Sequence, residues 1–90
     1  MRRKKDPDST CYVCGSPYVD LHHIFEGSWR RDISDKYEFC QVWLCRKHHA
    51  AVHNFPNMGL DLELKKMAQE SYERMYSRDE FIREFGKSYL

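Results

Sequence analysis

The sequence predicts a small α+β domain: a strand, a loop, a second strand and a helix stapled by a structural zinc ion, followed by two C-terminal helices. Three observations point there. Two knuckles of metal-binding residues, Cys11-x-x-Cys14 and Cys45-x-x-His48, bracket two β-prone segments. A stripe of apolar residues at helical spacing fills the last third of the chain. Ninety residues also bury only a modest share of their surface, so a metal or disulfide staple is expected.

Residues 1–10 hold Arg2 to Lys5 and close on Pro7, Asp8, Ser9 and Thr10. Without apolar periodicity they read as a flexible basic arm. The ordered domain spans 11–90, with the zinc-stapled unit over 11–54 and the C-terminal helices over 60–90. In the first knuckle, Gly15 gives the permissive backbone that lets two sulfurs face one point. Residues 19–25 form the first strand, with Val19, Leu21 and His23 on one face and His22 and Ile24 on the other.

The run 26–36, polar and rich in turn residues, is long for a hairpin connection and reads as a functional loop. Tyr37 to Leu44 carries the aromatic and β-branched residues of a second strand. Arg46 to His53 follows as a short helix, which Pro56 and Gly59 break. Leu60, Leu64, Met67, Ala68, Ser71, Tyr72 and Met75 make the buried stripe of a helix over about 60–76. Ser77 and Glu80 form a capping box for a last helix, in which Phe81, Ile82 and Phe85 pack inward and which Gly86 ends. These helices close the core; a dimer face is the alternative use for them.

Charge and redox chemistry narrow the class. With 15 basic and 14 acidic residues the net charge is +1, so bulk electrostatics do not advertise a nucleic-acid binder. The basic residues are nonetheless clustered, in the arm, in Trp29-Arg30-Arg31 and in Arg46-Lys47; ordinary solvated charge is the alternative for each. No apolar run reaches the roughly eighteen residues of a membrane span, and the N-terminus has no secretory signature. A cytoplasmic location is therefore expected, where cysteines stay reduced and favour metal.

Cys11, Cys14, Cys45 and His48 together complete a tetrahedral zinc site, with buried thiols as the alternative. Cys40 lies five residues before Cys45, roughly 16 Å away in an extended chain, too far to share the ion. Four histidines remain. His49 and His53 are spaced i, i+4, on one face of the predicted helix, where two imidazoles can reach one ion or phosphate. His22 and His23 lie on the strand that the knuckles tie against it. Half-buried or exposed histidines without a role are the alternative. Cleaving a phosphodiester needs a base for water and a cation for the growing charge, and imidazoles can supply the first and hold the second.

Cys-x-x-Cys, then Leu21-His22-His23-Ile24-Phe25, then Leu44-Cys45-x-x-His48-His49-x-x-x-His53 resembles the HNH endonucleases, the ββα-metal or His-Me finger family, in a zinc-containing form with paired knuckles. The resemblance covers about residues 11–53. It implies a ββα-metal finger and phosphodiester hydrolysis in DNA, duplex DNA being the expected partner. It implies that His22 and His49 hold one divalent ion, magnesium, manganese, nickel or zinc, and that His23 is the general base. His53 matches a position that binds metal or phosphate. Arg30, Arg31, Arg46 and Lys47 are the expected contacts to the nucleic-acid backbone. Small proteins of this kind are often phage-encoded, which implies the host cytoplasm. The sequence departs from the family at Cys40, where the family has the asparagine that orients the base; the backbone, Glu38 or Gln41 must serve instead, or activity is weak. The alternative from another class is a non-catalytic zinc module that binds nucleic acid or protein.

Overall fold

The computed structural model describes residues 9–25 and 37–90. Their order is strand β1 (Val19–His23), a 3-10 turn (Glu38–Cys40), strand β2 (Gln41–Cys45) and helices α1 (Arg46–Asn54), α2 (Gly59–Glu73) and α3 (Arg78–Phe85). The fold is a small α+β arrangement with one two-stranded antiparallel sheet. Residues 1–8 of the expected arm, the loop 26–36 and the Trp29-Arg30-Arg31 cluster lie outside the described residues. Ser9, assigned to the flexible arm, is buried.

Register follows from the pairing of Val19 with Cys45 and His23 with Gln41. Past the last paired residue, the Ile24 amide donates to the Cys40 carbonyl at 2.9 Å. The second strand is shorter than the expected 37–44. Residues 38–40 turn as a 3-10 segment instead, and the Cys40 amide donates to the Tyr37 carbonyl at 3.1 Å. Apolar and aromatic content alone does not distinguish a strand from a turn that buries the same side chains. Cys40 is fully buried by that turn.

Helix α2 carries the expected stripe, with Leu64, Ala68 and Tyr72 buried at successive four-residue steps. The helix ends at Glu73, so Met75 falls beyond it and is exposed. In α3 the Ser77 hydroxyl accepts from the Glu80 amide at 3.1 Å, which satisfies one of the orphan donors of the first turn. Gly86, at φ 98°, ends the helix in the left-handed region that glycine adopts without a Cβ clash. Phe81 and Phe85 are buried, whereas Ile82 is exposed, one helical step (about 100°) away from the core face.

The core is aromatic. Phe81 and Phe85 stack at 4.5 Å between centroids, and Phe25, just past β1, packs on Phe85 at 4.6 Å. Buried Gln69 holds the chain end: its Oε1 accepts from the Tyr89 amide at 2.7 Å and its Nε2 donates to Ser88 Oγ at 2.9 Å. The C-terminal helices therefore complete the core around the sheet. Among the described residues no helix is long and apolar enough to cross a membrane.

Candidate functional site

Two clusters of ligating side chains lie on this frame. In the first, Cys11, Cys14, Cys45 and His48 bring one ligand atom each to within 4.8 Å of one another. The Cys11 knuckle is closed by a bond from the Gly15 amide to the Cys11 carbonyl at 2.9 Å, which the φ of 77° at Gly15 permits. The Tyr12 amide donates to the Trp43 carbonyl at 2.9 Å, tying that knuckle to β2. Cys45 ends β2 and is the N-cap residue of α1, so His48 returns to the same point one turn later.

These donors fit a tetrahedral ion. With zinc–sulfur bonds of about 2.3 Å and zinc–nitrogen bonds of about 2.0 Å, tetrahedral edges are about 3.8 Å between sulfurs and about 3.5 Å from sulfur to nitrogen. Cys14 Sγ lies 3.8 Å from Cys45 Sγ, and Cys11 Sγ lies 3.6 Å from His48 Nδ1. The edge from Cys45 Sγ to His48 Nδ1 is tighter, at 3.1 Å. Burial raises the Cys11 thiol, but backbone hydrogen bonds from Cys45, Cys14 and Val13 outweigh it and lower its pKa to about 6. The thiolate, the form that binds metal, is thus favoured at Cys11, whereas the Cys14 thiol is raised. The four residues could hold a metal such as zinc. Cys40 is not among them; burial, with the Glu84 carboxylate adding, pushes its thiol up to about 12.

The second cluster is made of imidazoles. His22 from β1 and His49 and His53 from α1 also place one ligand atom each within 4.8 Å of the others. His49 Nε2 and His53 Nε2 are 3.1 Å apart, as the i, i+4 spacing allows. That separation is close to the roughly 3.0–3.4 Å edge between two imidazole nitrogens on one ion with bonds of about 2.1 Å. His22 is 2% exposed, whereas His53 is exposed, so the cluster opens toward solvent on the helix side. Burial, and then repulsion from His49 and His53, lower the His22 pKa to about 4, which keeps the ring neutral and able to ligate at neutral pH.

His23 is placed differently. It is 6% exposed, and it is not among the three converging imidazoles. Its cross-strand neighbour is Gln41, which is also buried. The strand end that carries it is held by the carbonyl of Cys40, so the backbone at that position braces the segment whatever the side chain. Arg46 and Lys47 are exposed on the first turn of α1; Arg30 and Arg31 lie outside the described residues.

A polar cleft of roughly 260 Å³ adjoins the imidazoles, lined by His22 and His53 and by Asn57, Asp61 and Lys65. The last three escaped the sequence reading, which treated residues 55–59 as a helix break and α2 as core. A signal was present: Asp61 and Lys65 are an i, i+4 charge pair at the start of an otherwise apolar stripe. No protein-family model matches this chain, and neither the curated proteins nor the solved structures give a match.

Proposed function

We propose that this chain is a metal-dependent endonuclease of the HNH type acting on DNA, built as a ββα-metal finger on a structural zinc. Cys11, Cys14, Cys45 and His48 hold the zinc. His22 and His49 hold one divalent ion, and His53 completes its protein ligands. The observation that carries this reading is the convergence of His22 with His49 and His53 from two different elements, beside an open cleft. Three protein ligands with the rest of the coordination sphere open is the pattern of a catalytic rather than a structural metal site.

His22, His49 and His53 would hold a divalent ion there, which when bound would supply stabilisation of the charge growing on the phosphoryl and leaving oxygens. His23 accepts the proton of a water that attacks phosphorus in line, and the bond to the 3′ oxygen breaks. The products are a 5′ phosphate and a 3′ hydroxyl. The resemblance of the motif around His22 and His23 supports the base assignment, and the exposed Arg46 and Lys47 suit contacts to the DNA backbone. A second reading, a non-catalytic zinc module that binds nucleic acid or protein, draws on the burial of His23, which limits its access to water.

Supercoiled plasmid with added magnesium, manganese or nickel separates the two. The endonuclease reading expects nicking that disappears in His23→Ala while zinc content stays that of the unmodified chain. Nicking of equal rate in His23→Ala, or none in the unmodified chain with any of these ions, contradicts it.

A further inference from the structure

The cleft beside the histidines is also lined by a charged pair. Lys65 Nζ lies 2.9 Å from Asp61 Oδ2, with the two side chains only 12% and 6% exposed. It also donates to Asn57 Oδ1 at 2.8 Å, and Asp61 Oδ2 accepts the Asn57 amide at 2.6 Å. The Tyr89 ring centroid lies 5.5 Å from the same ammonium. Asn57 is the only non-glycine residue with positive φ among those described, at 60°. Asparagine is one of the few residues that tolerates that geometry, which costs free energy and persists where the surroundings enforce it.

A helix pair kept only for surface solvation needs none of this. Exposed i, i+4 pairs gain little and leave both groups in water, whereas taking an ammonium and a carboxylate out of water costs several kcal/mol per ion before their attraction offsets it. Here the Lys65 side chain is 12% exposed, its ammonium is held by two oxygens, and it lines the same cleft as His22 and His53. An ammonium has three donors; Asp61 and Asn57 use two, leaving one for a ligand. Imidazole ligands add no negative charge to a divalent ion, so an ion there and Lys65 would both present positive charge to the cleft, with the Asp61 carboxylate engaged by Lys65 and the Asn57 amide.

We infer that Lys65, held in place by Asp61 and Asn57, binds an oxyanion of the substrate phosphate in the cleft that it shares with His22 and His53. This assignment rests on the endonuclease reading for its substrate class, a phosphodiester. Asp61 acts through Lys65 and is a positioning residue. It fixes the ammonium through the 2.9 Å contact to its Oδ2.

The test uses the full chain carrying zinc and nickel, with inorganic phosphate as the probe, titrated calorimetrically, and plasmid nicking as a separate readout. Lys65→Met is expected to weaken phosphate binding about tenfold or more, because it removes a charge-assisted hydrogen bond. Lys65→Arg is expected to stay within about threefold of the unmodified chain, with nickel stoichiometry the same in all three. Phosphate affinity unchanged in Lys65→Met overturns the assignment. So does loss of zinc or of cooperative melting in both Lys65→Met and Lys65→Gln, since the pair is then a structural staple. Phosphate binding that depends on Lys65 in a chain that never nicks plasmid upholds the site and sinks the endonuclease reading. Nicking at full rate in Lys65→Met does the reverse.

Discussion

His48 and His49 are adjacent on α1 yet belong to different clusters: His48 Nδ1 lies 3.1 Å from Cys45 Sγ, and His49 Nε2 lies 3.1 Å from His53 Nε2. One helical step turns a side chain by about 100°, enough to aim neighbours at separate points. The first cluster thereby sets the second. Whatever fixes Cys45 and His48 against the Cys11 knuckle also fixes the rotation of α1, and with it the distance from His49 and His53 to His22 on β1.

With zinc loaded at Cys11, Cys14, Cys45 and His48, chelating it should therefore unfold the domain rather than loosen one corner of it. An apparent contribution of ~10 kcal/mol or more is comparable to the whole stability of an ordinary domain, ~5–15 kcal/mol. Far-UV circular dichroism with excess chelator, and Cys45→Ser without it, should both show loss of the cooperative melt. A melting temperature that does not move once zinc is gone would mean that the aromatic core suffices.

That core is strong enough to be measured on its own. Phe81 is fully buried between Phe85, at 4.5 Å, and Tyr72, at 5.5 Å. Phe81→Ala should cost ~3–5 kcal/mol and lower the melting temperature by about 12 °C or more, with zinc still bound. A drop below about 3 °C would show that α3 is peripheral.

With no ion at the imidazole cluster, His22 should make the protein sensitive to acid in a defined window. Its folded pKa of about 4 lies below the ordinary value of 6.5, so the unfolded chain takes up the proton first. Stability is then lost as pH falls from 6.5 toward 4, by roughly 3 kcal/mol for this residue alone. His22→Leu removes the term while leaving the cysteine cluster in place, so the difference between the two denaturation curves isolates it. Parallel losses in both proteins across that window would show that His22 is protonated in the fold.

Cys40→Asn tests the departure from the HNH pattern. The side chain is fully buried, where an amide lacking its hydrogen bonds costs ~1–3 kcal/mol. Lower denaturant stability with no gain in nicking is expected, because the carbonyl of residue 40 already holds the Ile24 amide. Higher activity at unchanged stability would show that the amide's place has been kept open.

Much of this was legible in the residues. Matched two-residue spacings named Cys11, Cys14, Cys45 and His48, and the i, i+4 step named His49 and His53, because both signals are short-range and set by local geometry. The N-cap at Ser77 was legible for the same reason. Period alone could not separate the 3-10 turn at Glu38–Cys40 from a strand, nor foresee that α2 ends at Glu73 and leaves Met75 outside. Asn57, Asp61 and Lys65 were missed because their meaning is tertiary: the pair becomes part of a site only when the turn before α2 brings it beside His22 and His53.

Nickel titration of the zinc-loaded chain tests the existence of two metal centres most directly. The geometry predicts one nickel per chain held by imidazole nitrogens, seen by absorption and by calorimetry. His49→Ala should weaken it by about 100-fold or more, since even groups that only orient a ligand cost 10–100-fold. Zinc content should not change. A chain that binds no second ion, or binds it equally well without His49, contradicts the account.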